Sequence, residues 1–377
     1  MKTLETDILP AGPFRTIRNR LTGLLRMIHA LGMHRYPDFV YGKPPFHDFP
    51  VFTFHRVRRV LLQNRLDYLR LNGYETVQTD ALSPAPTDSG RFSGKRVLLT
   101  FDDGTEDLYR IAFPLLREGG MRAVAFISPF WVGRPGVVSW GQIREMHESG
   151  AIDFQSHSHS HRMIEVRPGI VDFYRPVMDR LLPWDLPFVP PAEEHVPFRR
   201  PPYGTPILPF TSGLSDARAF VKDPEFDRFF LSEVESLGGA SFFEQSGWRK
   251  RLLSRAERSE RSGRRETEAE QYRRIRAELE ASRSEMEAHL PGKKVRAFAY
   301  PNHVQGRTAS ALLSELGYSL VFGGIEPDIG SGDSGRSYRY FKRVSADFIP
   351  CLPGEGSRNL IRVMLDKYSQ KKQDGSL

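Results

Sequence analysis

Cysteine is almost absent. Cys351 stands alone in 377 residues, which excludes a disulfide framework and a cysteine-ligated zinc module. Long apolar runs are missing too: Leu21 to Met33 carries Arg26 and His29 and falls short of the roughly 18 uncharged apolar residues of a membrane span. No basic-then-apolar leader opens the chain, because Met1 to Pro13 is acidic and proline-punctuated, and the expected location is cytoplasmic. A broad basic surface is lacking as well. The net charge of +8 is concentrated between Arg249 and Arg296, with fifteen basic and nine acidic side chains, and in the first 35 residues, with six basic and two acidic. Two basic segments on an otherwise slightly acidic domain argue against a nucleic-acid partner and are accounted for by solvated helix faces.

What is present suits a large folded domain. Apolar residues make up 39% and charged residues 27%, enough to build a core and too apolar for wholesale disorder. Residues 1–48 read as an N-terminal basic helical segment, whose amphipathic stretch Phe14 to Met33 either touches a membrane surface peripherally or docks on the domain. From Pro50 the texture changes. A strand-like run to His55 is followed by helical spacing from Val60 to Asn72 with Gly73 as stop, and then by a strand at Tyr74 to Val77. Strand Arg96–Phe101, helix Tyr109–Glu118, strand Ala123–Ile127, helix Trp140–Glu148 and strand Ile152–Phe154 then alternate at short intervals. This is the rhythm of βα units and a parallel sheet.

Eleven prolines between Pro168 and Pro209 remove too many N–H donors for a helix or central strand, so 168–264 reads as a proline-rich and basic insertion. A long charged helix follows at 265–290, with Tyr272, Ile275, Leu279 and Met286 as a narrow apolar stripe and too few clean heptads for a coiled-coil arm. Strand Val295–Tyr300, helix Ala309–Leu316 and strand Ser319–Phe322 resume the alternation. The insertion therefore interrupts one α/β domain at 49–350, and 351–377 reads as a C-terminal tail.

Two clusters carry chemistry. Thr100-Phe101-Asp102-Asp103-Gly104 places adjacent carboxylates on the turn leaving a buried strand, where parallel α/β folds build their sites. Neighbouring side chains point different ways, so one acid is expected to hold a metal while the other stays free as a base; helix capping is the alternative. Ser156-His157-Ser158-His159-Ser160-His161 puts three of eleven histidines within five residues, just past another strand. Imidazoles four apart share one side of a turn, and a carboxylate with two imidazoles leaves a metal an open position for catalysis. Water on such a zinc ion ionises near pH ~7.

Together with Phe298-Ala299-Tyr300-Pro301-Asn302, these stretches resemble the first three motifs of the polysaccharide deacetylase (NodB-homology) family, carbohydrate esterase family four. Pro50 to His55 and the segment LDYLRLNGYETV resemble the branch of poly-N-acetylglucosamine deacetylases. The similarity runs from Pro50 to Arg343, outside the insertion. It implies a distorted (β/α) barrel of seven or eight strands that removes N-acetyl groups from an amino-sugar polymer, oligomer or glycan precursor. Asp102 would be the general base. Asp103, His157 and His161 would bind a divalent metal, zinc first, with cobalt, nickel or iron(II) as further candidates. The oxyanion would rest on the metal and a backbone N–H near Tyr300. His55 and His159 would line or support the substrate pocket.

Two departures from the family pattern stand out. Arg200-Pro201-Pro202-Tyr203-Gly204, a likeness of the usual third motif, lies inside the insertion, so Arg200 and Tyr203 are expected at a substrate groove. No histidine follows His303, which leaves His303 or Asp102 itself to protonate the leaving nitrogen. The competing readings are an O-acetyl carbohydrate esterase and a catalytically silent glycan- or polyanion-binding module.

Overall fold

The computed structural model describes residues 35–41, 46–83, 94–187, 198–256, 263–325 and 337–373; the amphipathic stretch Phe14 to Met33 lies outside them. Its centre is a ring of parallel strands: β1 (Val51–Phe54), β2 (Arg96–Asp102), β3 (Ala123–Ile127), β4 (Ile152–Ser156), β5 (Ala297–Ala299), β6 (Leu320–Gly323), β7 (Arg339–Lys342) and β8 (Val344–Ser345). From β1 to β7 each pairs with the next in register, for example Phe52 with Leu99, Phe101 with Ala125, Phe298 with Ser156 and Phe322 with Phe341. Arg343 alone separates β7 from β8. The first of these pairs with β6 and the second with β1, through Phe52 and Val344, so one continuous run closes the barrel. Strands buried on both faces need continuous apolar sequence rather than alternation, and VLLTF and AVAFI supply it.

Helices α1 (Arg59–Leu71), α2 (Phe113–Glu118), α3 (Trp140–Glu148), α6 (Glu268–His289), α7 (Arg307–Glu315) and α8 (Leu360–Gln373) accompany the ring, while α4 (Pro224–Ser236) and α5 (Trp248–Ala256) pack within the insertion. Their starts follow local chemistry. Ser139 with Gln142, and Thr267 with Glu270, form capping boxes that satisfy the first free N–H groups of α3 and α6. Inside the barrel Val51, Leu98, Val124, Ala297, Ala299 and Leu320 pack with a row of rings, Phe322 lying 5.1 Å from Phe126 and 5.0 Å from Phe341. The interior is thus filled; polar groups gather at the carboxyl ends of the strands, while away from that end Asp153 and Gln155 of β4 are tied to Thr79 and Lys293. No helix among the described residues is long and apolar enough to cross a membrane.

Three parts differ from the sequence expectation. On helix α6 the expected stripe is shorter: Ile275, Leu279 and Met286 are buried, while Tyr272 is 41% exposed and falls off it. The insertion folds on apolar clusters, one around Phe173, Phe230 and Phe242 and one around Tyr174, Met178 and Ile207. It includes α4 and α5, which proline content alone does not foretell. The segment after Cys351 is strapped to the barrel rather than trailing. The Tyr74 hydroxyl donates to the Pro353 carbonyl at 2.9 Å, and Asn72 bonds the backbone of Glu355 in both directions.

Removing the middle ring of the interior row should leave a cavity that the closed sheet cannot collapse. Phe322→Ala is expected to lose about 3–5 kcal/mol of stability in urea unfolding, whereas Phe229→Ala, on the exposed side of α4, should change it by less than about 1 kcal/mol.

Candidate metal centre

The carboxyl ends of β2, β4 and β5 meet at one point. Among the described residues, every non-glycine residue with positive φ lies there: Asp103 (69°), Ser158 (64°), His161 (53°), Asn302 (54°) and His303 (57°). Left-handed backbone is unfavourable for side-chain-bearing residues and persists where surrounding structure enforces it. Here it redirects side chains. Asp102 ends β2 and Asp103 turns out of it, so the two acids do not diverge as strand alternation suggests. Both flank one imidazole, with Asp103 Oδ1 3.6 Å and Asp102 Oδ2 3.9 Å from His157 Nε2. Gly104 completes the turn at φ 67°, and a Cβ there would stand 3.0 Å from Ile127 Cγ2.

Asp103, His157 and His161 offer three ligand atoms within 4.8 Å of one another. Asp103 Oδ1 is 3.6 Å from His157 Nε2 and 3.7 Å from His161 Nε2. Ligands about 2.1 Å from one tetrahedral ion stand roughly 3.4 Å apart, so the donor set fits a divalent cation with little adjustment. Its chemistry fits as well. His157 Nδ1 lies 2.8 Å from the Ala299 carbonyl, which fixes the tautomer that leaves Nε2 free to ligate. Burial lowers the pKa of both imidazoles, that of His157 to about 3, so both are neutral donors at pH 7. Without a cation, burial and then the Asp102 charge raise the Asp103 carboxyl well above its usual value. A site that resists ionising its own carboxylate is short of positive charge.

Asp102 is held differently. Burial alone would raise its pKa, but the Arg343 guanidinium, His157 and His55 outweigh burial and hold it far below the usual carboxylate range. Arg343 donates to Asp102 Oδ1 at 2.6 Å, with both side chains almost wholly buried, and its guanidinium lies 5.4 Å from the centre of the Phe126 ring. The Thr53 hydroxyl approaches Oδ2 at 3.5 Å, and His55 Nε2 stands 3.7 Å from the same oxygen with half its side chain exposed. His55 therefore lies at the mouth of the site. Arg343 escaped the sequence reading because Lys342-Arg343 resembles a solvated basic pair.

The remaining expected residues are placed less uniformly. His303 is half-buried, its ring 6.4 Å from that of His55, and burial followed by the Arg343 charge lowers its pKa to about 3. His159 turns away from the triad to Glu285 at 2.9 Å. Tyr300 is fully buried against Phe298, and its own N–H donates to the Phe322 carbonyl at 3.0 Å, so that amide belongs to the sheet and is not offered to an oxyanion. Arg200 donates to the carbonyls of Leu181 (2.8 Å) and Met178 (3.5 Å), and the Tyr203 hydroxyl donates to Asp179 at 2.5 Å. Both line a cavity of about 890 Å³ that no member of the triad lines; their contacts hold the insertion together rather than forming a groove at the metal centre. From the insertion, Trp184 and Asp185 do reach the site. The Trp184 ring is 6.4 Å from that of His161, and burial raises the Asp185 carboxyl.

A raised folded-state pKa on a carboxyl means that stability declines as pH climbs above the unfolded value of ~4. Asp103→Asn should remove that loss. The metal-free variant is expected to melt above the wild type by a few degrees at pH 7, with the gap closing at pH 4; an equal gap at both pH values would contradict the assigned cause.

Comparison with known proteins agrees with this geometry. Residues 89–169 match the family model for polysaccharide deacetylase. YxkH of Bacillus subtilis, whose name assigns it to the polysaccharide deacetylases, is 32% identical over 120 residues, covering 30% of this chain and 43% of that protein. The poly-β-1,6-N-acetyl-D-glucosamine N-deacetylase of Escherichia coli is 30% identical over 120 residues, covering 28% of this chain and 18% of that protein. The chain thus spans less than half the length of these relatives. In fold, the deacetylase domain of BpsB from Bordetella bronchiseptica superposes with a TM-score of 0.50 at 17% identity, covering 80% of this chain and 98% of that one. By its motifs and the matched segment the chain is similar to the polysaccharide deacetylases of the NodB-homology type, the poly-β-1,6-N-acetylglucosamine N-deacetylases among them, and its barrel has the fold of the BpsB deacetylase domain.

Proposed function

We propose that the protein is a divalent-metal-dependent hydrolase that removes N-acetyl groups from an amino-sugar polymer or oligomer. One observation carries the reading: the Asp103–His157–His161 donor set has a second, separately held carboxylate, Asp102, 3.9 Å from the same His157 nitrogen. The names of relatives such as the Escherichia coli enzyme support an N-acetylglucosamine polymer as the substrate class. Asp103 Oδ1, His157 Nε2 and His161 Nε2 would hold the cation, zinc being the ion best suited to one carboxylate and two imidazoles. When bound, such a cation polarises a carbonyl oxygen and acidifies water.

The protein's own groups supply the proton traffic. Asp102 remains ionised beside Arg343 and so is available to take a proton from attacking water. A proton on Asp102 is held weakly against the neighbouring guanidinium, which favours handing it on to the departing sugar nitrogen. His303, neutral at pH 7, has no extra proton to give and serves better as a wall of the site. The products are acetate and a free amino sugar.

Acetate release from N-acetylglucosamine oligomers, measured beside O-acetylated sugars, tests the reaction. The wild type should turn over the amide after zinc loading. Asp102→Asn should keep its zinc and lose at least 100-fold in kcat, in line with the loss of a general base, while Asp103→Ala should lose zinc retention itself. Release from the ester alone would reassign the chemistry, and undiminished zinc in the Asp103 variant would refute the ligand set.

A further inference from the structure

Helix α6 returns from the insertion and presents a polar edge to the ligand-bearing loop. Glu278, Ser282 and Glu285 are spaced four and three apart and so share one helix face. Ser282 Oγ lies 2.7 Å from Ser156 Oγ, and Glu285 Oε2 lies 2.9 Å from His159 Nε2. Glu278 does most: it accepts the backbone N–H of Ser160 at 2.9 Å and the Ser160 hydroxyl at 2.5 Å. Of the two candidate ligand imidazoles, His157 lies between anchored residues Ser156 and His159, and His161 directly follows Ser160.

The two imidazoles are not oriented in the same way. His157 is fixed through its ring, by the Ala299 carbonyl on Nδ1. The Nδ1 of His161 is buried and has no such partner on another residue among those described. Metal-bound histidines usually rely on a hydrogen bond from the second ring nitrogen to hold their orientation. His161 must instead be aimed through its backbone, which is itself in the strained left-handed region at φ 53°. Its N–H donates to Ser158 Oγ at 3.0 Å, and the residue just before it is the one gripped twice by Glu278.

We propose that Glu278 is a positioning residue for the metal centre: by clamping Ser160 it holds the strained turn that aims His161, doing from α6 what a ring hydrogen bond does for His157. The inference rests on the metal-centre reading above. The carboxylate itself touches neither cation nor substrate. A glutamine would keep one acceptor for the Ser160 N–H, whereas an alanine would keep none.

Zinc titration of the full chain against a competing chelator reads the effect directly, alongside melting of each metal-free variant. Glu278→Ala is expected to weaken zinc binding about 10–100-fold, with Glu278→Gln falling between it and the wild type. Glu280→Ala, at an exposed residue two positions along that pairs with Arg276, should bind zinc as the wild type does. Adding Ser160→Ala to Glu278→Ala should cause little further loss, since the two partners act as one unit. Unchanged zinc affinity in a folded Glu278→Ala protein, with only its metal-free melting point lowered, would reduce Glu278 to a fold contact and overturn the proposal. Should Glu278→Ala not fold, Glu278→Gln and Ser160→Ala decide it, and wild-type affinity in both overturns it. A wild type that binds no zinc would defeat the metal centre itself, a failure distinct from that of Glu278 alone.

Discussion

A single buried ion pair, Arg343 with Asp102, organises this protein. A carboxylate taken wholly out of water is unfavourable by several kcal/mol unless a counter-charge meets it. Arg343 supplies that charge from the junction of β7 and β8, the point at which the barrel closes. The same residue therefore stands where the topology is completed and where the chemistry is poised. Two adjacent acids share the site, yet one guanidinium neutralises only Asp102. Asp103 is left with neutral imidazoles and an excess of negative potential. The mismatch is electrostatic support for the proposed cation.

Geometry at the site is maintained against local preference. Five side-chain-bearing residues adopt left-handed backbone, distributed over the turns after β2, β4 and β5. Each such residue costs on the order of 1–3 kcal/mol, and the surrounding closed sheet, the filled interior and the polar edge of α6 supply the rigidity that sustains them. Strain, burial and convergent donors coincide at one end of the barrel, as expected where structure has been bent toward chemistry rather than toward stability alone.

Much of this could be read from sequence, for definite reasons. Val97 to Phe101 and Ala123 to Ile127 are continuous apolar runs bounded by turn residues, and they become central strands. Trp140 to Glu148 begins at a serine cap and stops before Gly150, and the helix has those bounds. The candidate ligands were visible because a metal site of this kind requires those residue types within a few positions of a strand end. What stayed hidden depends on long-range placement. Nothing local distinguishes Arg343 from Lys342, yet one is sealed in the barrel and the other is half-exposed. Strand alternation suggested diverging acids, and only the left-handed turn at Asp103 brings them together. Arg200 and Tyr203 copied a motif in letters while their side chains were occupied in holding the insertion. The polar residues of α6 looked like a solvated face because their partners lie more than a hundred residues earlier in the chain.

The order of the ring along the polypeptide has a consequence for biosynthesis. Asp102 leaves the ribosome 241 positions ahead of the arginine that neutralises it. Until β7 and β8 emerge, the nascent sheet keeps two unpaired edges and a carboxylate with no counter-ion. A translation product halted before that point would lack both closure and charge balance, making it a substrate for chaperones or proteases rather than a partly working catalyst. Competence is thus conferred at a late stage of elongation, by one strand run.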